Sequence, residues 1–121
     1  MKKVLIIEDE KFIGELYSKA LTDAGYQVVV VETGDEGLRQ ALAGEFDIIL
    51  LDIMVPGLLG IDVLKKIKQE HPEIKSKVII TTNLENSEDT RKSIEKDADG
   101  YLIKAEVSPN DLVAFLDQIK I

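Results

Sequence analysis

Short runs of apolar, largely β-branched residues alternate along this chain with longer stretches in which apolar residues recur at helical spacing. The runs cover residues 4–7, 28–31, 48–51, 78–80 and 101–103. Runs this short and this apolar predict strands that are covered on both faces, and the stretches between them predict helices. The repeating strand–helix order favours an α/β fold built on a doubly wound, five-stranded parallel sheet.

Several helix ends can be predicted from single residues. Residues 12–24 carry apolar side chains at positions typical of one helix face, and Gly25 is well placed to end that helix. Thr33 and Ser108 are predicted N-caps of later helices. The stretch 87–96 is the least amphipathic of the five. We therefore expect it to form the most weakly docked helix and to be the best candidate to move.

Side chains that could form a functional site follow four of the five predicted strands, while the polar residues after the second strand are explained by the helix cap at Thr33. Glu8 and Asp9 follow the first strand, Asp52 the third, Thr82 the fourth and Lys104 the fifth. In a flavodoxin-like (βα)5 sheet with strand order 2-1-3-4-5, the first and third strands are neighbours, so their carboxylates meet where the order reverses. Open parallel sheets bind ligands at this edge, and we predict a site there.

Length, composition and net charge exclude several classes of site and partner. The 121 residues suit one domain spanning 1–121. The chain has no Cys, which excludes disulfides, thiolate metal sites and cysteine nucleophiles. A formal net charge of -8 disfavours direct binding to nucleic acid or to an anionic membrane. No apolar run is long enough to span a membrane, and the expected location is cytoplasmic.

Three carboxylates at one place must be offset by a cation or by protonation. Oxygen ligands with room for water suit Mg²⁺. Lys104 and Thr82 add an ammonium and a hydroxyl that can bind phosphoryl oxygens. With Asp52 as nucleophile, this set predicts phosphoryl transfer to an aspartate. Each side chain alone has an ordinary structural explanation, and it is their joint placement that favours the functional one.

Four short motifs, in order and at matching intervals, carry a family resemblance. They are the pair Glu8 and Asp9, the segment 52–57, Thr82 after an apolar strand, and the segment 99–104. Over essentially its whole length, the chain resembles the receiver domain of bacterial two-component response regulators. The resemblance leaves open whether this receiver stands alone or belongs to a longer protein.

The resemblance implies a magnesium-dependent phospho-acceptor site. Asp52 is similar to the family's phospho-acceptor, and Lys104 to its phosphate-binding lysine. Asp9 resembles the direct Mg²⁺ ligand, and Glu8 an acidic neighbour that acts through water. The backbone carbonyl of Met54 would complete the protein ligands.

The resemblance also implies a conformational switch. Thr82 is similar to the hydroxyl that is drawn to the phosphoryl group, and Tyr101 to the aromatic that turns inward when that hydroxyl moves. The implied partners are a histidine kinase or phosphotransfer protein, a downstream protein target and a second copy of the chain in a homodimer. No direct nucleic-acid or membrane partner is implied. The resemblance implies no enzymatic activity beyond phosphorylation and dephosphorylation of the protein itself.

Two departures from the family leave an alternative open. Ala105 stands where receivers usually have a cis proline, and Asn83 where they have a small residue. A cis bond before a non-proline residue costs about 2.5–4 kcal/mol, so this bond is expected to be trans or strained. Both departures favour a degenerate receiver that binds proteins without phosphorylation. Enzymes on similar folds fit less well, because a flavin carrier needs a glycine-rich loop after the first strand and an aspartate phosphatase a second acid at Met54.

Overall fold

The computed structural model describes residues 2–83 and 88–120. Five parallel strands form one sheet with the order β2-β1-β3-β4-β5, which confirms the predicted topology. The strands are β1 (Lys3–Ile7), β2 (Gln27–Val31), β3 (Ile48–Asp52), β4 (Lys77–Thr82) and β5 (Gly100–Ile103). Because β1 and β3 pair directly, the residues that follow them lie side by side at the carboxyl edge of the sheet.

Helices connect successive strands. They are α1 (Lys11–Asp23), α2 (Gly34–Ala43), α3 (Gly60–Lys65), α4 (Glu88–Asp97) and α5 (Pro109–Asp117), with a π-helical turn (Lys66–Glu70) extending α3 and a 3-10 turn (Lys104–Glu106) after β5. None of the helices in the described part of the chain has the length and apolar character needed to cross a bilayer.

The predicted helix ends are confirmed where the structure describes them. Gly25 follows α1 with a φ of 98°, a left-handed conformation that glycine adopts without steric cost. The hydroxyl of Thr33 accepts a hydrogen bond from the N–H of Glu36 at the start of α2. Ser108 and Asp111 form a reciprocal capping box at the start of α5. The predicted start of the fourth helix, at residue 87, lies outside the described residues.

Each face of the sheet carries its own hydrophobic core. Alternate residues of β1 point to opposite faces, so Leu5 and Ile7 pack with α2 and α3 while Val4 and Ile6 pack with α1 and α5. All four are at most 1% exposed. Helices on both faces explain why the strands are apolar at nearly every position.

The apolar pattern of α1 is wider than the face that it buries. Tyr17 and Leu21 are 5% and 0% exposed, but Phe12 and Leu16 are 70% and 37% exposed. The predicted helix is confirmed, but its apolar face is only partly buried, with Phe12 and Leu16 at its exposed margin.

Helix α4 contributes little to the core. Among its side chains that the structure describes, Ile94 alone is buried. One buried apolar side chain stabilises docking by about 1.5–3 kcal/mol, less than the two, Tyr17 and Leu21, that α1 buries. The burial agrees with weak docking, and mobility of α4 stays a prediction.

A hydrogen bond ties the end of α5 to the start of β2. The hydroxyl of Tyr26 donates to Asp117 Oδ1 at 2.6 Å, and Tyr26 is only 7% exposed. Burial raises the pKa of Tyr26, and the hydrogen bond to Asp117 and its negative charge raise it further.

We expect Tyr26→Phe to lower the free energy of unfolding by about 1–2 kcal/mol at neutral pH, because the bond to Asp117 is lost. The neutral phenol is the form favoured by folding. The advantage of Tyr26 over Phe should therefore be complete below the ordinary tyrosine pKa of about 10 and fade as pH rises above it. Urea unfolding at neutral and alkaline pH measures this difference.

A second variant, Asp117→Asn, tests the effect of the Asp117 charge on Tyr26. Ultraviolet absorbance should show Tyr26 ionising at lower pH than in the parent, and an unchanged titration would contradict the effect of Asp117 on the pKa of Tyr26.

Candidate functional site

The predicted site residues converge on one cleft at the carboxyl edge of the sheet. Asp52 ends β3 and pairs with Thr81, and Thr82 pairs with Ile103, directly before Lys104. The cleft has a volume of about 260 Å³ and is lined by Asp9, Glu10, Asp52, Ile53, Met54, Thr82, Asn83 and Lys104.

Three carboxylates meet beside this cleft. One oxygen from each of Glu8, Asp9 and Asp52 lies within 4.8 Å of the other two. Glu8 and Asp52 are 2% and 4% exposed, whereas Asp9 is exposed to solvent.

This donor set fits a hard divalent cation. Ligands at 2.0–2.1 Å from one Mg²⁺ are at most about 4.2 Å apart, so the cluster needs only small side-chain movements to share an ion. An oxygen-only set suits Mg²⁺ better than zinc. Asp9 and Asp52 offer carboxylate oxygens of this cluster and Met54 lines the same cleft, whereas the roles of these residues as ligands, and of Glu8 through water, stay predictions.

Lys104 neutralises part of the acidic cluster. Its Nζ lies 2.7 Å from Glu8 Oε1, 3.2 Å from Asp52 Oδ2 and 3.9 Å from Glu10 Oε1. Burial opposes the charge of this lysine, but the hydrogen bond to Glu8 and the charge of Asp52 outweigh burial and raise the pKa of Lys104. The ammonium therefore stays protonated although its side chain is 9% exposed.

The buried position of Glu8 disfavours the charged form of its carboxylate. Burial raises the pKa of Glu8 to about 7, against the opposing effects of Lys104 and of the N–H of Glu10. That N–H donates to Glu8 Oε2 at 3.1 Å. Glu10 thus takes part in the site although the sequence did not single it out, and its signal was the acidic run 8–10.

The carboxylate of Asp52 is fixed from two sides. The N–H of Met54 donates to Asp52 Oδ1 at 3.0 Å, and Lys104 donates to Oδ2 at 3.2 Å. The first bond closes a turn directly after β3, which brings the backbone of Met54 to the cleft. The side chain of Met54 itself points to solvent, with 72% exposure.

The two proposed switch residues lie in different surroundings. Thr82 is 4% exposed and lines the cleft at the end of β4. Tyr101 lies on the edge strand β5, opposite Ile80, and is 54% exposed. An exposed tyrosine beside a buried threonine is compatible with an inward movement of the ring, and the switch role of both stays a prediction.

The departures at Ala105 and Asn83 leave the acidic cluster intact. No peptide bond between described residues is cis, so Lys104 and Ala105 are joined by a trans bond. The chain then forms the 3-10 turn, and Lys104 still reaches both Glu8 and Asp52. Asn83 is exposed at the rim of the cleft.

This strand order, with an acidic cluster and a lysine at the carboxyl edge of the sheet, is typical of receiver domains, and the comparisons with known proteins show the same class. The family model of the response regulator receiver domain matches residues 4–117. The chain therefore belongs to the receiver domains of two-component response regulators.

Relatives extend beyond the region that they share with this chain. The transcriptional regulatory protein CusR of Escherichia coli is 37% identical over 102 residues, which cover 84% of this chain and 44% of CusR. The transcriptional activator protein IrlR of Burkholderia pseudomallei is 36% identical over 118 residues, covering 98% of this chain and 48% of IrlR. The chain thus spans less than half the length of these relatives.

Solved structures show the same fold. A CheY-like receiver domain protein from Methanospirillum hungatei superposes with a TM-score of 0.87 at 28% identity, covering 98% of this chain and 92% of that one. The chemotaxis protein CheY4 of Vibrio cholerae gives a TM-score of 0.85 at 28% identity and covers 99% of both chains.

We expect Lys104→Met to lower the free energy of unfolding by about 3–5 kcal/mol at pH 8 in a chelating buffer, because Glu8 and Asp52 lose their buried counterion. Lys104 lowers the pKa of Glu8, so this pKa rises above about 7 when Lys104 is replaced. Glu8 of the variant therefore takes up a proton at higher pH than Glu8 of the parent. The Glu8 share of the deficit should shrink as pH falls from 8 toward 7 and level off below 7, where Glu8 is protonated in both proteins. Urea unfolding across this pH range measures it.

Lys19→Met is the matched control for that experiment. Lys19 also pairs with an acid, Asp23, at 3.1 Å, but the two side chains are 78% and 66% exposed. Its loss should change stability by no more than about 0.5 kcal/mol at any pH. Equal effects of the two substitutions would contradict the view that Lys104 stabilises a buried cluster.

Proposed function

We propose that this receiver accepts a phosphoryl group on Asp52 with the help of Mg²⁺ and thereby changes a surface that binds other proteins. The observation that carries the proposal is the arrangement around Asp52. Its buried carboxylate lies within 4.8 Å of two further acids and 3.2 Å from the ammonium of Lys104. A complete set of this kind argues against a receiver that has lost its chemistry.

The transfer step uses the carboxylate of Asp52 as nucleophile. An oxygen of Asp52 attacks the phosphorus of a phosphohistidine or a small phosphodonor, the bond to the leaving group breaks, and an acyl phosphate forms. The leaving imidazole or carboxylate keeps the bonding electrons. A bound Mg²⁺ supplies neutralisation of the phosphoryl oxygens.

Lys104 lets the state of Asp52 affect strand β5, because it follows β5 and its ammonium contacts the Asp52 carboxylate. In the structure its ammonium is shared between Glu8 and Asp52. Phosphorylation replaces the Asp52 carboxylate by a larger group with more negative charge, and the ammonium then binds a phosphoryl oxygen. The hydroxyl of Thr82, which lines the same cleft, donates to another oxygen.

These new bonds bias the β4–β5 side of the domain toward a second arrangement. Movement of Thr82 leaves space into which Tyr101 turns, and α4, with Ile94 as its buried anchor, shifts with them. The changed surface binds a downstream protein or a second copy of the chain.

The proposed phosphodonor is a histidine kinase or a phosphotransfer protein in the cytoplasm. With a formal net charge of -8, the receiver itself is expected to act on proteins and not on nucleic acid. The region that it shares with CusR, named as a transcriptional regulatory protein, and IrlR, named as a transcriptional activator, supports control of transcription as the proposed output, through a separate protein segment or partner.

Incubation with acetyl phosphate and Mg²⁺ should add the mass of one phosphoryl group to the intact protein, because Asp52 is the buried nucleophile of the cleft. Mass spectrometry of the undigested chain measures this. Asp52→Asn keeps the shape of the side chain and should remain unmodified. An equal mass gain in Asp52→Asn, or none in the parent protein, would overturn the proposed function.

Asp9→Asn should raise the Mg²⁺ dissociation constant by at least about 10-fold. Substituting residues that only hydrogen-bond to a metal ligand already lowers metal affinity by this factor, and Asp9 is proposed to be a ligand itself. Calorimetric titration measures the constant. Asp23→Asn, which also removes one exposed acid but lies at the far end of α1, should leave it unchanged within about 2-fold. Similar losses in both variants would show that Mg²⁺ responds to overall charge and not to a site at Asp9.

A further inference from the structure

The start of α2 lies in direct backbone contact with the loop that follows β3. This β3–α3 loop, residues 53–59, carries Met54 at the cleft. The N–H of Gly34, the first residue of α2, donates to the carbonyl of Pro56 at 3.0 Å. The first N–H groups of a helix lack partners within it, so a loop carbonyl satisfies one of them here.

Gly34 leaves no space for a side chain at this contact. A Cβ atom on Gly34 would lie 1.7 Å from the carbonyl oxygen of Leu58 and 2.7 Å from its carbonyl carbon. Because these are backbone atoms, no change of rotamer can relieve the overlap. Either α2 or the β3–α3 loop must move to accommodate any larger residue.

Two further glycines fit the loop to its surroundings. A Cβ on Gly60 would lie 2.4 Å from the carbonyl oxygen of Asp52, so α3 begins in contact with the end of β3. Gly57 has a φ of 79°, and a Cβ there would lie 3.0 Å from Asp35 Oδ2 on α2. The loop is therefore held at its β3 end, at its middle and at its α3 end.

We propose that Gly34 is a positioning residue, which sets the β3–α3 loop at the distance from β3 where the Met54 backbone can take part in binding Mg²⁺. The proposal rests on the proposed function of the cleft. Gly34 touches neither the metal position nor Asp52, and acts through the carbonyls of Pro56 and Leu58. A displaced loop shifts the Met54 carbonyl while Asp9, Asp52 and Lys104 keep their strand-end positions.

Gly34→Ala tests this role. We expect the Mg²⁺ dissociation constant to rise by about 10-fold, as for the loss of a group that orients a metal ligand. The phosphorylation rate with acetyl phosphate should recover to within about 3-fold of the parent at saturating Mg²⁺, because Asp52 and Lys104 are undisturbed. In magnesium-free buffer, the amide resonances of residues 54, 55 and 57–59 should shift, which shows loop displacement without any metal.

Gly14→Ala is the control. Gly14 is also a buried helical glycine, but a Cβ there would meet only a methyl group of Val30, at 3.2 Å. This variant should keep the parent's Mg²⁺ affinity within about 2-fold and leave the loop resonances in place. Thermal unfolding establishes the temperature at which all variants are folded and comparable.

The outcomes separate the two proposals. A folded Gly34→Ala with unchanged Mg²⁺ affinity overturns the positioning role and leaves the function of the cleft standing. Absence of Mg²⁺ binding by the unaltered protein overturns the proposed function and this inference with it. If Gly34→Ala does not fold, Gly57→Ala decides, because alanine is strained at a φ of 79° and its Cβ would meet the side chains of Asp35 and Thr33 at the start of α2, so the same loop is displaced relative to the same helix. Unchanged affinity in folded Gly57→Ala then overturns the role.

Discussion

One lysine ammonium holds together an edge of the sheet that would otherwise repel itself. Glu8 and Asp52 are almost fully buried, and carboxylates so far from water need a counterion or a proton. Lys104 supplies one positive charge to both, whereas the cluster of Glu8, Asp9 and Asp52 brings three carboxylates together. One ammonium cannot offset three carboxylates, and Asp9 lies exposed beside the buried pair, which is the side from which the proposed Mg²⁺ would enter.

The sequence predicted those features that local chemistry or topology decides. Caps such as Thr33 and Ser108 depend on residues a few positions away, so their patterns are readable. The meeting of Glu8, Asp52 and Lys104 depends on strand order, and the βα repeat leaves few orders to choose from. For the same reason, three residues that are 44 or more positions apart in the chain could be assigned to one cleft before their distances were known.

Features that depend on contact between distant backbones could not be predicted. An apolar stripe indicates a helix but not how much of it is covered, and Phe12 remains 70% exposed because no element packs over it. The need for glycine at position 34 arises only where α2 meets the carbonyl of Leu58, and a single glycine gives no such signal. That the Lys104 ammonium contacts both Glu8 and Asp52 likewise could not be predicted, because it depends on the positions of the three side chains.

The two sides of the Asp52 carboxylate differ in how closely their backbones are packed, and this difference would give the proposed switch a direction. On the β3 side, Gly34 and Gly60 fit the loop against fixed backbone, so it can serve as a reference for the metal. On the other side, Lys104 reaches from β5 across β4, a span of about 10 Å at ordinary strand spacing. There β5 is an edge strand, Tyr101 is half exposed and α4 depends on Ile94. If Asp52 is phosphorylated as proposed, the displacement is expected on the β4–β5 side, where fewer contacts oppose it.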